Sequence, residues 1–307
     1  MRPAWWYRAA CAAALLFLLP SAPATAEERP GAYGPGEILG FARHLASSGE
    51  YFRAYTELSR LKSYYPGYLD PSVLRISELY LLYGGGQYEI ILALPPPGDG
   101  TDARAGAVFA ADSAFALGDY ERALQLSRIA PDPKRDPFPG AALCRRAFMS
   151  MLLLGRIDDA ARFECPYETP AGKTFDPGAH SGLLSYARGA FADLRSPAAA
   201  LALGTIPGLG YAYAGNRQNG AIAFIVVSVF SALTYFSFRT DNAPLGFVFG
   251  ATATVFYGGS MVGAYREALR YNRSIGERVR ETVLDELHPA RDRDEIFQRY
   301  GIGHGKR

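Results

Sequence analysis

Cysteine, histidine and tryptophan are scarce in this chain of 307 residues, which has three, four and two of them. Cys11 lies in an N-terminal apolar segment, leaving Cys144 and Cys165, with no Cys-x-x-Cys pair and no Cys/His cluster at zinc spacing. His44, His180, His288 and His304 form no two-histidine helical metal pair, and none marks an obvious serine or cysteine nucleophile. A Gly-x-Ser-x-Gly elbow is absent. The stretch PAGKT, Pro170–Thr174, has Tyr167 where a phosphate loop needs its first glycine, and FDPG follows it where a helix should open. No catalytic constellation, cofactor or metal is implied. Neither sign of charge dominates: 32 basic against 30 acidic residues leave +2, which gives no basic face for nucleic acid. Charge is also nearly missing from residues 196–265, although it is spread through 27–195 and returns after 265.

What is present begins with a targeting segment. Arg2 and Arg8 precede the short apolar core AACAAALLFLLP, and Ala24–Ala26 form a small-x-small cleavage site before Glu27. Residues 1–26 thus read as a cleaved signal peptide, with an uncleaved anchor as the alternative. Cys11 sits inside the apolar core, which argues against a lipoprotein cysteine. Export implies an oxidising compartment in which Cys144 and Cys165 can pair.

Residues 27–195 repeat. SSGEYFRAYTEL, GGGQYEIILAL, ALGDYERALQL and LLGRIDDAARF carry Gly49, Gly86, Gly118 and Gly155, spaced 37, 32 and 37 apart. That period belongs to stacked helical hairpins. Each glycine separates two helical runs, where left-handed backbone can close the first. Two positions on stand Tyr51, Tyr88, Tyr120 and Ile157; five positions on stand Ala54, Ile91, Ala123 and Ala160, where a small residue lets paired helices approach. Pro66 stops the second helix of the first unit. The Gly-x-Tyr-x-x-Ala core and terminal proline resemble the tetratricopeptide repeat family over roughly residues 37–165, although Ile157 replaces the tyrosine and Ile91 the alanine. A hairpin turning at Gly155 brings Cys144, eleven residues before it, level with Cys165, ten after it. A Cys144–Cys165 disulfide is therefore expected.

Residues 196–265 contain three uncharged runs: Ser196–Asn216, Gln218–Phe238 and Asn242–Tyr265, of 21, 21 and 24 residues. A helix needs about 20 to cross the hydrocarbon. The second and third runs are expected to form a transmembrane hairpin joined at RTDNAP. Pro207 and Gly208 interrupt the first run, which is either a kinked short span or an interfacial segment. Arg266, Arg270, Arg273, Arg278 and Arg280 follow the third run and favour a cytoplasmic tail by the positive-inside rule. Three spans are accordingly preferred, with two spans plus an interfacial helix as the alternative. Pro207, Gly208, Gly210, Tyr213, Gly215 and Gly220 form a Pro-Gly-x-Gly-x-x-Tyr-x-Gly pattern similar to the TM2-like bacterial membrane families, whose paired helices follow such a motif. The resemblance implies a tight turn where the chain enters the membrane and says little of activity.

The tail, residues 266–307, reads as a solvated amphipathic helix, with DRDE at Asp292–Glu295 in solvent and a second short helix docking through Ile296, Phe297 and Tyr300. The fold class expected is all-α: a tetratricopeptide-like solenoid followed by a small transmembrane helical domain. The expected function is non-enzymatic: a scaffold in the bacterial inner membrane whose periplasmic repeats bind a protein partner in their groove, with membrane lipid as the other contact. The alternative is a membrane domain that handles a lipid or small solute, regulated by the repeats.

Overall fold

All four spaced glycines adopt left-handed backbone, with φ of +79° at Gly49, +72° at Gly86, +80° at Gly118 and +72° at Gly155. At each, the glycine N–H donates to the carbonyl three residues back and the next N–H to the carbonyl five back, as in Gly118 to Phe115 and Asp119 to Ala114. Those bonds satisfy carbonyls that a helix end leaves open, in a conformation that a Cβ disfavours. A computed structural model describes residues 34–95, 101–128, 137–165, 167 and 175–303, so the signal segment and residues 170–174 lie outside it. Around the four turns it contains α1 (Pro35–Ser47) with α2 (Tyr51–Tyr64), α3 (Pro71–Gly84) with α4 (Tyr88–Ala93), α5 (Thr101–Ala116) with α6 (Tyr120–Ser127), and α7 (Pro137–Leu153) with α8 (Ile157–Ala161). The helices of each pair pack on one another. Ala54, Ala123 and Ala160 are wholly buried where they meet, and Ile91 nearly so. Pro66 lies two residues past the end of α2.

The chain divides after Tyr68 into two units. The first holds α1 and α2, closed by Leu39, Ala42 and Leu45 on one helix and Ala54, Leu58 and Leu61 on the other. The second holds everything from Leu69 onward. Its principal core joins α5, α6, α7 and α8 to α9 (Ser181–Ala192) and to the far end of α13 (Ala243–Leu287) through Ile275, Val279, Val283 and Leu287. Cys144 and Cys165 are bonded within this core, with Cα atoms 5.7 Å apart. Residues 163–165 come level with α7 outside any helix, because α8 ends at Ala161.

The second unit also contains two helices long and apolar enough to cross a membrane, α12 (Arg217–Arg239) and α13. Only 11% of each apolar stretch is buried, so neither stretch is enclosed in a core among the described residues. Phe247 and Val255 are 71% and 74% exposed. The two helices pack side by side, turning at Asp241, whose φ is +59°, with the Asn242 carboxamide oxygen accepting from the Leu245 N–H. The all-α expectation agrees with this architecture, and no strand occurs among the described residues.

Two expectations are corrected. The first uncharged run is not a third span. It breaks into α10 (Pro197–Leu203) and α11 (Leu209–Tyr213), of 7 and 5 residues, because Pro207 removes a donor and Gly208 turns left-handed at φ +84°. Nor is the tail a separate solvated element on the opposite side of a membrane from the repeats. α13 runs unbroken for 45 residues into the repeat core, and α14 (Pro289–Tyr300) packs on α3, α5 and α7. Chain segments that share one core lie on one side of any bilayer.

Candidate functional site

The most heavily constrained place in the molecule is the seat of α14. Burying the tail there sets charges into a dry interior, where each needs a partner. Arg146 on α7 has no exposed surface, and Asp112 on α5 and Asp292 on α14 are each 4% exposed. The Arg146 guanidinium donates to Asp112 from Nε at 2.9 Å and from Nη2 at 3.0 Å, and to Asp292 from Nη1. It also donates to the Ala142 and Pro289 carbonyls at 3.2 and 2.8 Å. Arg145 reaches the other Asp292 oxygen at 2.8 Å, and Arg293 reaches Asp112 at 2.8 Å. Three arginines and two aspartates thus stitch α14 to α5 and α7. The reading of Asp292 as a solvated charge is corrected here: the fold buries it against Arg146.

Aromatic contacts complete the seat. Phe297 stacks on Tyr80 of α3 with ring centroids 3.9 Å apart, and Tyr80 donates to Asp294 at 3.0 Å. Arg293 lies 4.2 Å over the Tyr83 ring, and Arg299 4.8 Å over Phe138. Ile296 is fully buried, and the Ile302 N–H donates to the Ser77 hydroxyl at 2.8 Å. The face formed by α3, α5 and α7, the first helices of three successive hairpins, is therefore covered by the chain's own C-terminus.

Electrostatics follow from that packing. Burial would push the Asp112 carboxyl up, but the charges of Arg146 and Arg293 outweigh it and hold the group below the usual carboxylate range. Burial, with the Asp112 charge adding to it, pushes the Tyr83 phenol up to about 12, so it stays protonated. A carboxyl depressed in the folded state contributes stability that is present above its unfolded value, about 3.9, and lost as pH falls through the folded one. The thermal midpoint of the detergent-held protein should therefore drop below about pH 4. A midpoint unchanged down to about pH 2.5 would contradict the ion network.

The glycine and tyrosine pattern at the start of the apolar half builds a second constrained place. Gly208 and Gly220 bring two backbones together: a Cβ on Gly220 would sit 2.7 Å from the Gly208 carbonyl oxygen. A Cβ on Gly210 would meet the Ala264 Cβ at 2.8 Å, and one on Gly263 the Tyr211 Cζ at 2.7 Å. Gly215 turns at φ +92° to start α12. The Tyr213 hydroxyl accepts from the Ser196 N–H at 3.0 Å, and Asn272 exchanges two 2.8 Å bonds with the Arg195 backbone. Arg195 lies over the rings of Tyr213 and Tyr271. Motif residues thus fasten α10 and α11 against α12 and α13, at the junction with α9.

The repeat-packing residues and the motif residues form separate clusters. The sequence reading missed Asp112, Arg145 and Arg146, and took Arg293, inside DRDE, as solvated. Their signal was available: Asp112 stands alone in the apolar run VFAADSAFAL, and Arg145–Arg146 interrupt AALCRRAFMSML. No protein-family model, curated protein or solved structure matches the chain.

Proposed function

We propose that the chain is a membrane-anchored helical-repeat scaffold that presents a protein-binding surface at a bacterial inner membrane. The observation that carries this reading is α13, one helix that begins in a lipid-facing apolar hairpin and ends in the core of the repeats. A continuous helix transmits position without a flexible joint, so the repeats of the second unit stand at a set place above the bilayer. The four left-handed glycine turns, and the buried alanine five positions on in three of the four units, favour tetratricopeptide-like units. The close glycine packing at Gly208, Gly210 and Gly220 favours a TM2-like membrane domain.

The repeats and tail are assigned to the periplasm, with RTDNAP in the cytoplasm. The export segment and the Cys144–Cys165 bond support that side. The arginines beside α12 and α13 argue the other way by charge bias. However, that rule is counted over short loops, and long exported domains cross regardless of it. A protein partner is assigned to the first unit, because α14 already covers the face of the second. Phe52 and Tyr64 there are 63% and 71% exposed, and Phe41 and Tyr68 add to the aromatic surface. A cleft of about 370 Å³ in this unit is lined by Phe41 together with Glu37, Ile38, Glu57 and Arg60.

Photoreactive amino acids placed at Phe52 and Tyr64 in living cells should yield protein adducts, with none from the buried Leu58 position. Adducts to lipid alone, or none, would reject the scaffold reading. A second reading, lipid or small-solute handling, is favoured by a groove of about 500 Å³ among Tyr211, Asn219, Ile222, Val226, Phe256 and Ser260. A lipid adduct from Ile222 that outlives detergent exchange would support it.

A further inference from the structure

We propose that the cleft at the corner between α13 and α14 binds a compact anionic solute bearing phosphate or pyrophosphate. The cleft measures about 390 Å³ and is lined by Arg280 of α13, by His288, Arg291 and Arg293 at the corner, and by Tyr83 and Asp112 from the repeats. Asp112 is the one carboxylate among its lining residues, and its two oxygens are already taken by Arg146 and Arg293. The buried network beneath carries three arginines against two aspartates, leaving one positive charge in excess. Arg280 and Arg291 add two more, and neither has a carboxylate within 4.0 Å among the described residues.

The chemistry selects the ligand. Guanidinium groups offer paired, planar donors that match the oxygens of phosphate, and converging arginines favour multiply charged anions over a single carboxylate. Two walls of the cleft belong to the tail and one to the repeats, so an anion there would bridge α13 and α14 to α3 and α5. A bilayer headgroup is the wrong source. Arg280 stands fifteen residues beyond Tyr265, roughly 22 Å along a helix that rises about 1.5 Å per residue.

The test is calorimetric titration of inorganic pyrophosphate, and of inorganic phosphate, into the full-length protein in neutral detergent. Saturable binding is expected, tighter for pyrophosphate. Arg291→Ala should weaken it at least roughly tenfold, the scale of one lost charge-assisted pair. Arg280→Gln with Arg291→Gln should abolish it. Arg188→Ala, at an exposed residue of α9 that does not line the cleft, should bind as the parent does. Thermal midpoints without ligand separate lost binding from lost folding. No saturable binding by the parent protein would overturn the proposal, as would parent-like binding by the double variant. So would binding that appears only in nanodiscs of anionic lipid and is not competed by pyrophosphate, since the source would then be the bilayer.

Discussion

Asp112→Leu is expected to cost about 3–5 kcal/mol, the range for stripping one partner from a buried ion pair. Arg146 has no exposed surface and loses two of its five hydrogen bonds in that variant. Its charge then rests on Asp292 alone, which Arg145 also claims. For a unit of this size the thermal midpoint should fall by roughly 10 °C. Adding Arg146→Met to Asp112→Leu should recover at least about half of the loss, because the wholly buried Arg146 charge is then gone with its partner and Arg145 still neutralises Asp292, while Arg293, which also loses Asp112, is 15% exposed and keeps its place over the Tyr83 ring. Such recovery separates an ion-pair network from a packing role: two independent packing losses would add. Additive or worse behaviour of the double variant would reject the network. The same single variant should raise protease sensitivity first at α14, since Asp112 joins that helix through Arg146 and Arg293.

Topology supplies the other large effect. A reporter active only outside the cytoplasm, fused after Arg307, should be as active as one fused within the repeats. A cysteine at Thr240, in the turn between α12 and α13, should label from the opposite side of the membrane. The expectation rests on physical continuity. Residues 275–287 belong to the same core as α7 and the Cys144–Cys165 bond, and a core cannot be shared across a bilayer. α10 and α11 are too short to add a span at about 1.5 Å per residue. Opposite readings from the two fusions would mean that the tail does not dock in the living membrane, and would remove the basis for the α14 seat.

The local signals were legible because they depend on neighbours in sequence. A left-handed turn needs a residue without a Cβ, so Gly49, Gly86, Gly118 and Gly155 announced the hairpins. A spacing of eleven and ten residues about Gly155 announced the Cys144–Cys165 bond, even though α8 proved shorter than a full second helix. The length and apolarity of α12 and of the first half of α13 were equally plain. By contrast, the arginines after Tyr265 gave the wrong side for the tail relative to the repeats. Charge bias describes a flank by itself, and here Ile275, Val279, Val283 and Leu287 on that flank are taken into another segment's core. Asp292 misled for a similar reason: in the run DRDE it looks solvated, and its partners lie 146 and 147 residues away.

Backbone stereochemistry, apolar length and cysteine spacing are short-range properties, and the sequence by itself determined what rests on them: hairpin turns, a disulfide, two helices fit for hydrocarbon. Which surface the tail covers, which charges are buried and how far α13 reaches into the repeats were decided only by the tertiary structure. Those outcomes depend on pairing Asp112, Arg146 and Asp292 from three distant helices. The desolvation of each becomes tolerable only when all three arrive together.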